Sequence, residues 1–329
     1  MESIVINPHD KFFKEILSDI KNAKSFFKEY LPLDIIKTLD FNTLSIQKDS
    51  FIEKDLKEFF ADILYTVSIE DKKSYIYLLL EHKSKFEKQT PFQLLQYMVK
   101  IWRLHIKQKG FPLPVIIPLV LYHGNQKWNI PIDFGGLFDV KKGFKAYLPD
   151  FDYILYDLSK YTDEDIKGEV ILKAALMLFK YIKKPELIKK SVEIFLLLNS
   201  IMESEKGLEA LETFFRYIFY AGDMPVEKLK KIAAENLHNK GEEAIMTLAE
   251  RLINQGKDEG IKQGLSQGLS QGLSQGLQKA IINTLEARFN LIDNRIIQTI
   301  NSITDPQRLN VITRHAALVN SPDELNFIL

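Results

Sequence analysis

An α/β fold, a mixed sheet flanked by helices and followed by an all-helical C-terminal region, is what this chain of 329 residues predicts. Three observations carry it. Residues 75–83 form an apolar, aromatic-rich run with the length of an interior strand. A helical pattern at 91–108 and a second apolar run at 115–122 follow it, the order of strand, crossover helix and strand in one sheet. Beyond about residue 150 the periodicity is helical, with charged faces.

The elements follow in order. Asn7 is an N-cap residue, Pro8 fits the first helical position and Asp10 complements the helix dipole, so a helix starts here and buries Phe12, Phe13, Ile16 and Leu17. A second helix over 23–30 stops at Pro32. Residues 43–46 alternate as a short strand. The stretch 56–66 fits a helix through Leu56, Phe59, Phe60, Ile63 and Leu64, while residues 63–67 have strand propensity. Because only a four-residue turn, 70–73, separates it from the central run, a hairpin of 62–68 with 75–83 is the favoured reading.

Over 91–108 the apolar residues Leu94, Leu95, Met98, Ile101 and Trp102, with His105, share one side, and Gly110 lies past the end. Pro118 fits poorly in a central strand, which puts the 115–122 strand near an edge or at a bulge. Helical patterns then cover 163–183, 185–200, 209–221 and 225–254. From 255 to 277 glycines recur every fourth residue, and Gly-Leu-Ser-Gln repeats from Gly264. On a helix such stripes advance by about 40° per repeat. Each glycine costs up to about 1 kcal/mol against alanine, so the helix needs a partner close to its glycine face; a flexible linker is the alternative. Compact helical segments around Leu285, Phe289, Ile296, Ile300, Leu309, Ile312, Leu318 and Leu325 close the chain. The expected parts are thus 1–150, 151–254, 255–277 and 278–329.

Composition narrows the chemistry. The chain has no cysteine, which excludes disulfides, thiolate nucleophiles and cysteine-ligated zinc. Its formal net charge is zero, so a nucleic-acid surface must be a local patch. The first ten residues do not read as a signal peptide and no run of about 18 apolar residues exists, so no membrane span and a cytoplasmic location are expected. The six histidines have no zinc spacing, and neither a phosphate-cradling Gly-Lys-Ser/Thr loop nor a Gly-x-Ser-x-Gly elbow is present.

What remains is a set of charged groups at the end of the central strand. Glu81 and Lys83, two apart on a strand, share one face. An antiparallel partner starting at Asp62 puts a second carboxylate at the same sheet edge. Two carboxylates there suit one or two Mg²⁺ ions, which prefer oxygen ligands, and a lysine beside them can steady water or phosphate. An isolated Glu-x-Lys also occurs as an ordinary surface ion pair. Gln93, Tyr97 and Lys100 share a face of the following helix, with Gln96, Lys100 and Arg103 as an overlapping set. Between Lys83 and Gly110 seven basic residues, Lys83, Lys85, Lys88, Lys100, Arg103, Lys107 and Lys109, face the single acid Glu87, a cluster suited to phosphates.

The segments His9-Asp10-Lys11-Phe12-Phe13-Lys14, Phe60-Ala61-Asp62-Ile63-Leu64-Tyr65, Leu79-Leu80-Glu81-His82-Lys83-Ser84, Pro91-Phe92-Gln93-Leu94-Leu95-Gln96-Tyr97 and Val120-Leu121-Tyr122-His123-Gly124, with Trp128, carry a family likeness. As a set they resemble the PD-(D/E)XK nuclease superfamily, and within it the recombination-promoting nucleases, or YhgA-like putative transposases. The likeness covers residues 9 to about 130, and the Gly- and Gln-rich repeat is also similar to that family. It implies a restriction-endonuclease-like fold and DNA cleavage dependent on Mg²⁺ or Mn²⁺. Carried over by motif, Asp62 and Glu81 are metal ligands, Lys83 the catalytic lysine and Asp10 the first-helix acid, with Glu15 as a rival. Gln93 and Tyr97 match a glutamine and tyrosine that some members place on this helix. Asp10 stands where glutamate is usual, and Ala61 replaces the proline of the superfamily's name.

The sequence therefore predicts a Mg²⁺-dependent DNA endonuclease with Asp62, Glu81, Lys83, Gln93, Tyr97 and Asp10 in the site and Lys85, Lys88, Lys100, Arg103 and Lys107 on DNA. A homo-oligomer formed through the helical half and the repeat is expected. The alternatives are a DNA-binding or assembly protein that keeps the fold without catalysis, and a multimerising switch centred on the repeat.

Overall fold

The computed structural model describes residues 7–47, 63–70, 72–81, 88–124, 126–140, 142–237 and 240–327. Contacts divide the chain into two compact units, Met1–Ala249 and Glu250–Leu329.

The first unit is an α/β domain built on a five-stranded mixed sheet in the order β1-β2-β3-β4-β5. Three helices open it, α1 (Pro8–Leu17), α2 (Ile20–Tyr30) and α3 (Leu33–Thr38). The strands are β1 (Leu39–Ile46), β2 (Ile63–Ile69), β3 (Lys72–Glu81), β4 (Ile116–Tyr122) and β5 (Ile154–Asp157), with α4 (Thr90–Lys109) as the crossover from β3 to β4. β1, β2 and β3 run antiparallel, β4 and β5 parallel to β3. Of the two readings of 56–66, the strand holds from Ile63 onward; residues 56–62 lie outside the described ones.

Alternation along the strands gives the sheet two apolar faces, each covered. Leu64, Tyr75, Val120 and Tyr122 pack with Leu94, Tyr97 and Met98 of α4. On the other face Tyr65 stands edge-on to Phe27 at 5.0 Å and donates its hydroxyl to the Leu17 carbonyl. Tyr156 there meets Phe26 and Tyr30.

As expected, β4 lies near an edge, one strand in from β5; other expectations are corrected. Pro118 is tolerated because β5 pairs only from Leu119 onward, so one flank of β4 is unpaired at the proline. β5 adds a strand beyond residue 150, where only helices were expected. The helix expected from 163 begins at Val170, as α5 (Val170–Tyr181). Gly168 adopts φ 117°, and Asp163 lies outside the helix, ion-paired at 2.6 Å to Lys180 and Lys190 and accepting from Tyr181. After α6 (Leu187–Asn199) and α7 (Glu205–Ala221), the single pattern over 225–254 divides into α8 (Val226–Asn236) and the start of α9 (Lys240–Phe289).

In the second unit the Gly-Leu-Ser-Gln repeat is helical, inside the 50-residue α9, and is not a flexible linker. A Cβ added at Gly256, Gly260, Gly264, Gly268, Gly272 or Gly276 would meet nothing within 4 Å. The glycine face is therefore bare, and Ile261, Leu265, Leu269 and Leu273 are exposed. Below the repeat, Ile281 and Leu285 pack with Ile296 and Ile300 of α10 (Asn294–Ser302) and with Leu309 and Ile312 of α11 (Pro306–Ala316). Leu318, expected in this core, is 76% exposed.

Candidate functional site

Strand directions select one rim of the sheet. β2 begins where β3 ends, with Ile63 opposite Leu78. Glu81, the last residue of β3, pairs with Tyr122 at the end of β4, which pairs with Asp157 at the end of β5. Asp62, Lys83 and Lys85 lie outside the described residues, and Glu81 is described as a strand position. Asp157 was not anticipated. It is 3% exposed and caps the following turn, Oδ1 accepting from the Ser159 amide at 3.0 Å and hydroxyl at 2.6 Å, with Lys160 Nζ at 3.6 Å from Oδ2. Among the described residues no three His, Asp or Glu side chains are gathered so as to hold a metal ion.

α1 carries Asp10 in its first turn. Asn7, at φ 63°, caps the helix, its side-chain oxygen accepting from the Asp10 amide while its Nδ2 donates to the Asp10 carboxylate. Burial pushes the Asp10 carboxyl up to about 6, against the pull of Lys14 and the Asn7 hydrogen bond. His9, buried beside it, lies 5.4 Å from His123 between ring centroids, and His123 directly follows Tyr122. Glu15, the rival acid, lies 3.6 Å from Arg216 of α7.

α4 contributes from the sheet face carrying Leu64 and Tyr75. Its interior residues are good helix formers, Thr90-Pro91 starts it and Gly110 at φ 77° ends it. Tyr97 is buried in the core cluster and Gln93, one turn earlier, is half-buried. Lys100 stands 5.7 Å from the Tyr97 ring centroid. Lys88, Lys100, Arg103 and Lys107 are exposed, and none of them is ion-paired with an acid among the described residues. Trp102 is half-buried and donates its indole N–H to the Pro114 carbonyl, so it is spoken for by the core.

Sequence reasoning missed one partner of α1. Tyr217 of α7 holds its hydroxyl 2.6 Å from His9 Nδ1. The two residues are 208 apart, and the helical half carried no visible chemical motif, so no local signal pointed to the pair.

Comparison with known proteins identifies a family. The profile of a family described as putative transposase, YhgA-like, matches residues 7–209. The chain is 29% identical over 254 residues to the recombination-promoting nuclease RpnA of Escherichia coli K12, spanning 76% of this chain and 85% of that protein. It is 28% identical over 255 residues to the recombination-promoting nuclease RpnD of Escherichia coli O157:H7, spanning 75% of this chain and 94% of that one. It is also 28% identical over 263 residues to the inactive recombination-promoting nuclease-like protein RpnE of Escherichia coli K12, spanning 79% of this chain and 86% of that protein. No solved structure matches the chain.

Proposed function

Because the chain belongs to the YhgA-like putative transposase family, we propose that it is a metal-dependent endonuclease that hydrolyses phosphodiester bonds in DNA, in a recombination-promoting role. Relatives named recombination-promoting nucleases, similar over most of their length, support a nuclease. The observation that carries the reading is the β2–β3 hairpin. Its antiparallel register sets Ile63, the residue after Asp62, opposite Leu78, three residues before Glu81.

In this reading Asp62 and Glu81 hold Mg²⁺ or Mn²⁺, hard cations that take oxygen ligands. Such an ion, when bound, supplies a Lewis acid and lowers the pKa of water. Lys83 steadies the attacking water or the phosphate, Gln93 and Tyr97 orient the reacting groups from α4, and Asp10 adds a carboxylate from α1. Lys85, Lys88, Lys100, Arg103 and Lys107 take the flanking phosphates. The test is supercoiled plasmid incubated with the pure full-length chain in Mg²⁺, in Mn²⁺ and in EDTA. Nicked or linear product with either ion alone supports the reading, and intact plasmid in all three ends it.

A second reading has its own support, since RpnE, named inactive, is as similar to the chain as the named nucleases are. It makes the protein a DNA-binding or oligomerising assembly factor that retains the fold. Plasmid that is retarded in a gel but uncut in Mg²⁺ and Mn²⁺ selects it.

The proposal includes a homo-oligomer, in which a second helix would approach the bare glycine face of α9 at close range. Deleting residues 264–275 is expected to lower the mass measured by light scattering, and an unchanged mass removes this part. No helix among the described residues is long and apolar enough to cross a membrane. The proposal places the protein in the cytoplasm.

A further inference from the structure

We propose that Tyr217 is a positioning residue of the site: its hydroxyl locks the His9 imidazole in one tautomer and so fixes the first turn of α1, with Asp10, against the end of β4. The effect on cleavage rests on the nuclease reading above; the lock itself does not.

Tyr217 lies on α7, beyond the last residue that the family profile matches. It is 3% exposed and His9 6%, and Oη to Nδ1 is 2.6 Å. The Tyr217 ring is also packed against aromatic side chains. Phe12 stacks on it at 4.1 Å with 4° between planes, and Phe179 stands edge-on at 5.6 Å. A phenylalanine would serve that packing as well. A buried hydroxyl is costly unless it is hydrogen-bonded, and among the described residues His9 is its one partner.

The direction of the bond follows. Burial, with the Asp10 carboxylate nearby, pushes the Tyr217 phenol well above its ordinary range, so it keeps its proton. Among the described residues the acceptor for that proton is His9 Nδ1, and a neutral imidazole that accepts at Nδ1 carries its own proton on Nε2. Among the described residues, Tyr217 engages His9 at Nδ1 and the His9 ring stands against His123. Asp10 is the next residue along the helix. Its place relative to the rim is thus set by a helix more than 190 residues further along the chain.

The experiment uses the full chain with ¹⁵N-labelled histidine. In the parent, His9 should give the long-range ¹H–¹⁵N pattern of a pure Nε2–H tautomer. Tyr217→Phe keeps the ring stack and should convert His9 to a tautomer mixture. It should also lower kcat for Mg²⁺-dependent plasmid cleavage by about tenfold, the scale of losing an orienting partner behind a site, with KM unchanged. Phe214→Leu on the same helix, where Phe214 stands edge-on to Phe12, is the packing control. It should lower the unfolding midpoint while leaving the tautomer as in the parent. An unchanged tautomer in Tyr217→Phe, or the same tautomer change in Phe214→Leu, overturns the inference. A parent chain that cuts no DNA brings down the nuclease reading alone, and the tautomer then decides the lock.

Discussion

The imidazoles of His9 and His123 lie 5.4 Å apart between ring centroids, one in the first turn of α1 and the other immediately past β4. β4 ends at Tyr122, and Tyr122 pairs in register with Glu81. One strand thus links the helix that carries Asp10 to the strand that carries Glu81. The contact is made from the start of α1, through His9, to the residue that follows β4.

Asp62→Ala and Glu81→Ala should each abolish most plasmid cleavage. Each removes a carboxylate meant to hold the cation, and losing one electrostatic group from a site costs on the order of 10²–10³-fold in rate. Binding of duplex DNA, measured by fluorescence anisotropy, should change little, because phosphate contacts come from the basic residues. If either variant cuts as fast as the parent, its assigned role is wrong.

Much of the frame around those residues was legible because its signals are local. Ile63–Ile69 and Lys72–Glu81 are short-range apolar runs joined by a tight turn, and they pair as a hairpin. α4 could be delimited from Pro91 and Gly110, and its 3.6-residue period placed Gln93 one turn from the buried Tyr97. β5 escaped because four residues, Ile154–Asp157, carry too short a pattern; pairing with β4 makes them a strand. Asp163 misled for a related reason. It sits in a helical-looking stretch, but Lys180, Lys190 and Tyr181 claim its carboxylate outside the helix. The Tyr217–His9 hydrogen bond joins residues 208 apart, and no window of sequence contains both.

Asp10 gives a pH signature with a definite sign. Its carboxyl is pushed up to about 6 from 3.8, mainly by burial. If the carboxylate is the working form, kcat/KM should rise through about pH 6, and Asp10→Asn should be slow and lack that limb. Stability runs the other way. A raised carboxyl means that the folded chain holds more protons than the unfolded one between about pH 4 and 6, so stability falls as pH rises through that window and is level above it. Asp10 stays partly exposed, so solvent screening cuts the effect to roughly 1 kcal/mol or less. Unfolding midpoints of parent and Asp10→Asn should therefore diverge, in favour of the variant, from pH 4 to pH 7. Parallel curves would contradict a desolvated carboxylate.

The exposed cations of α4 should act through phosphates. Arg103→Ala and Lys107→Ala are each expected to weaken binding of unrelated duplexes by similar factors. Each should also flatten the plot of log K against log salt by about 0.9 for every phosphate the variant no longer neutralises. A weakening confined to one DNA sequence, or an unaltered salt slope, would show that this face does not track the backbone.

α9 offers the last test, in which two energies oppose each other. Replacing Gly264, Gly268 and Gly272 with alanine should strengthen the helix by up to about 1 kcal/mol at each position, since alanine gives up less backbone entropy than glycine. Among the described residues nothing stands in the way, because a Cβ at any of the three meets no atom within 4 Å outside the helix's own adjacent backbone. The same methyl groups would intrude on a second copy packed against the glycines. The triple variant should therefore gain helicity by circular dichroism and fall in mass by light scattering. Because greater intrinsic helicity would favour most helix-mediated assemblies, a fall in mass alongside it can come only from an interface that needed the glycines bare. A mass equal to the parent's would show that copies, if they associate, do so through another face.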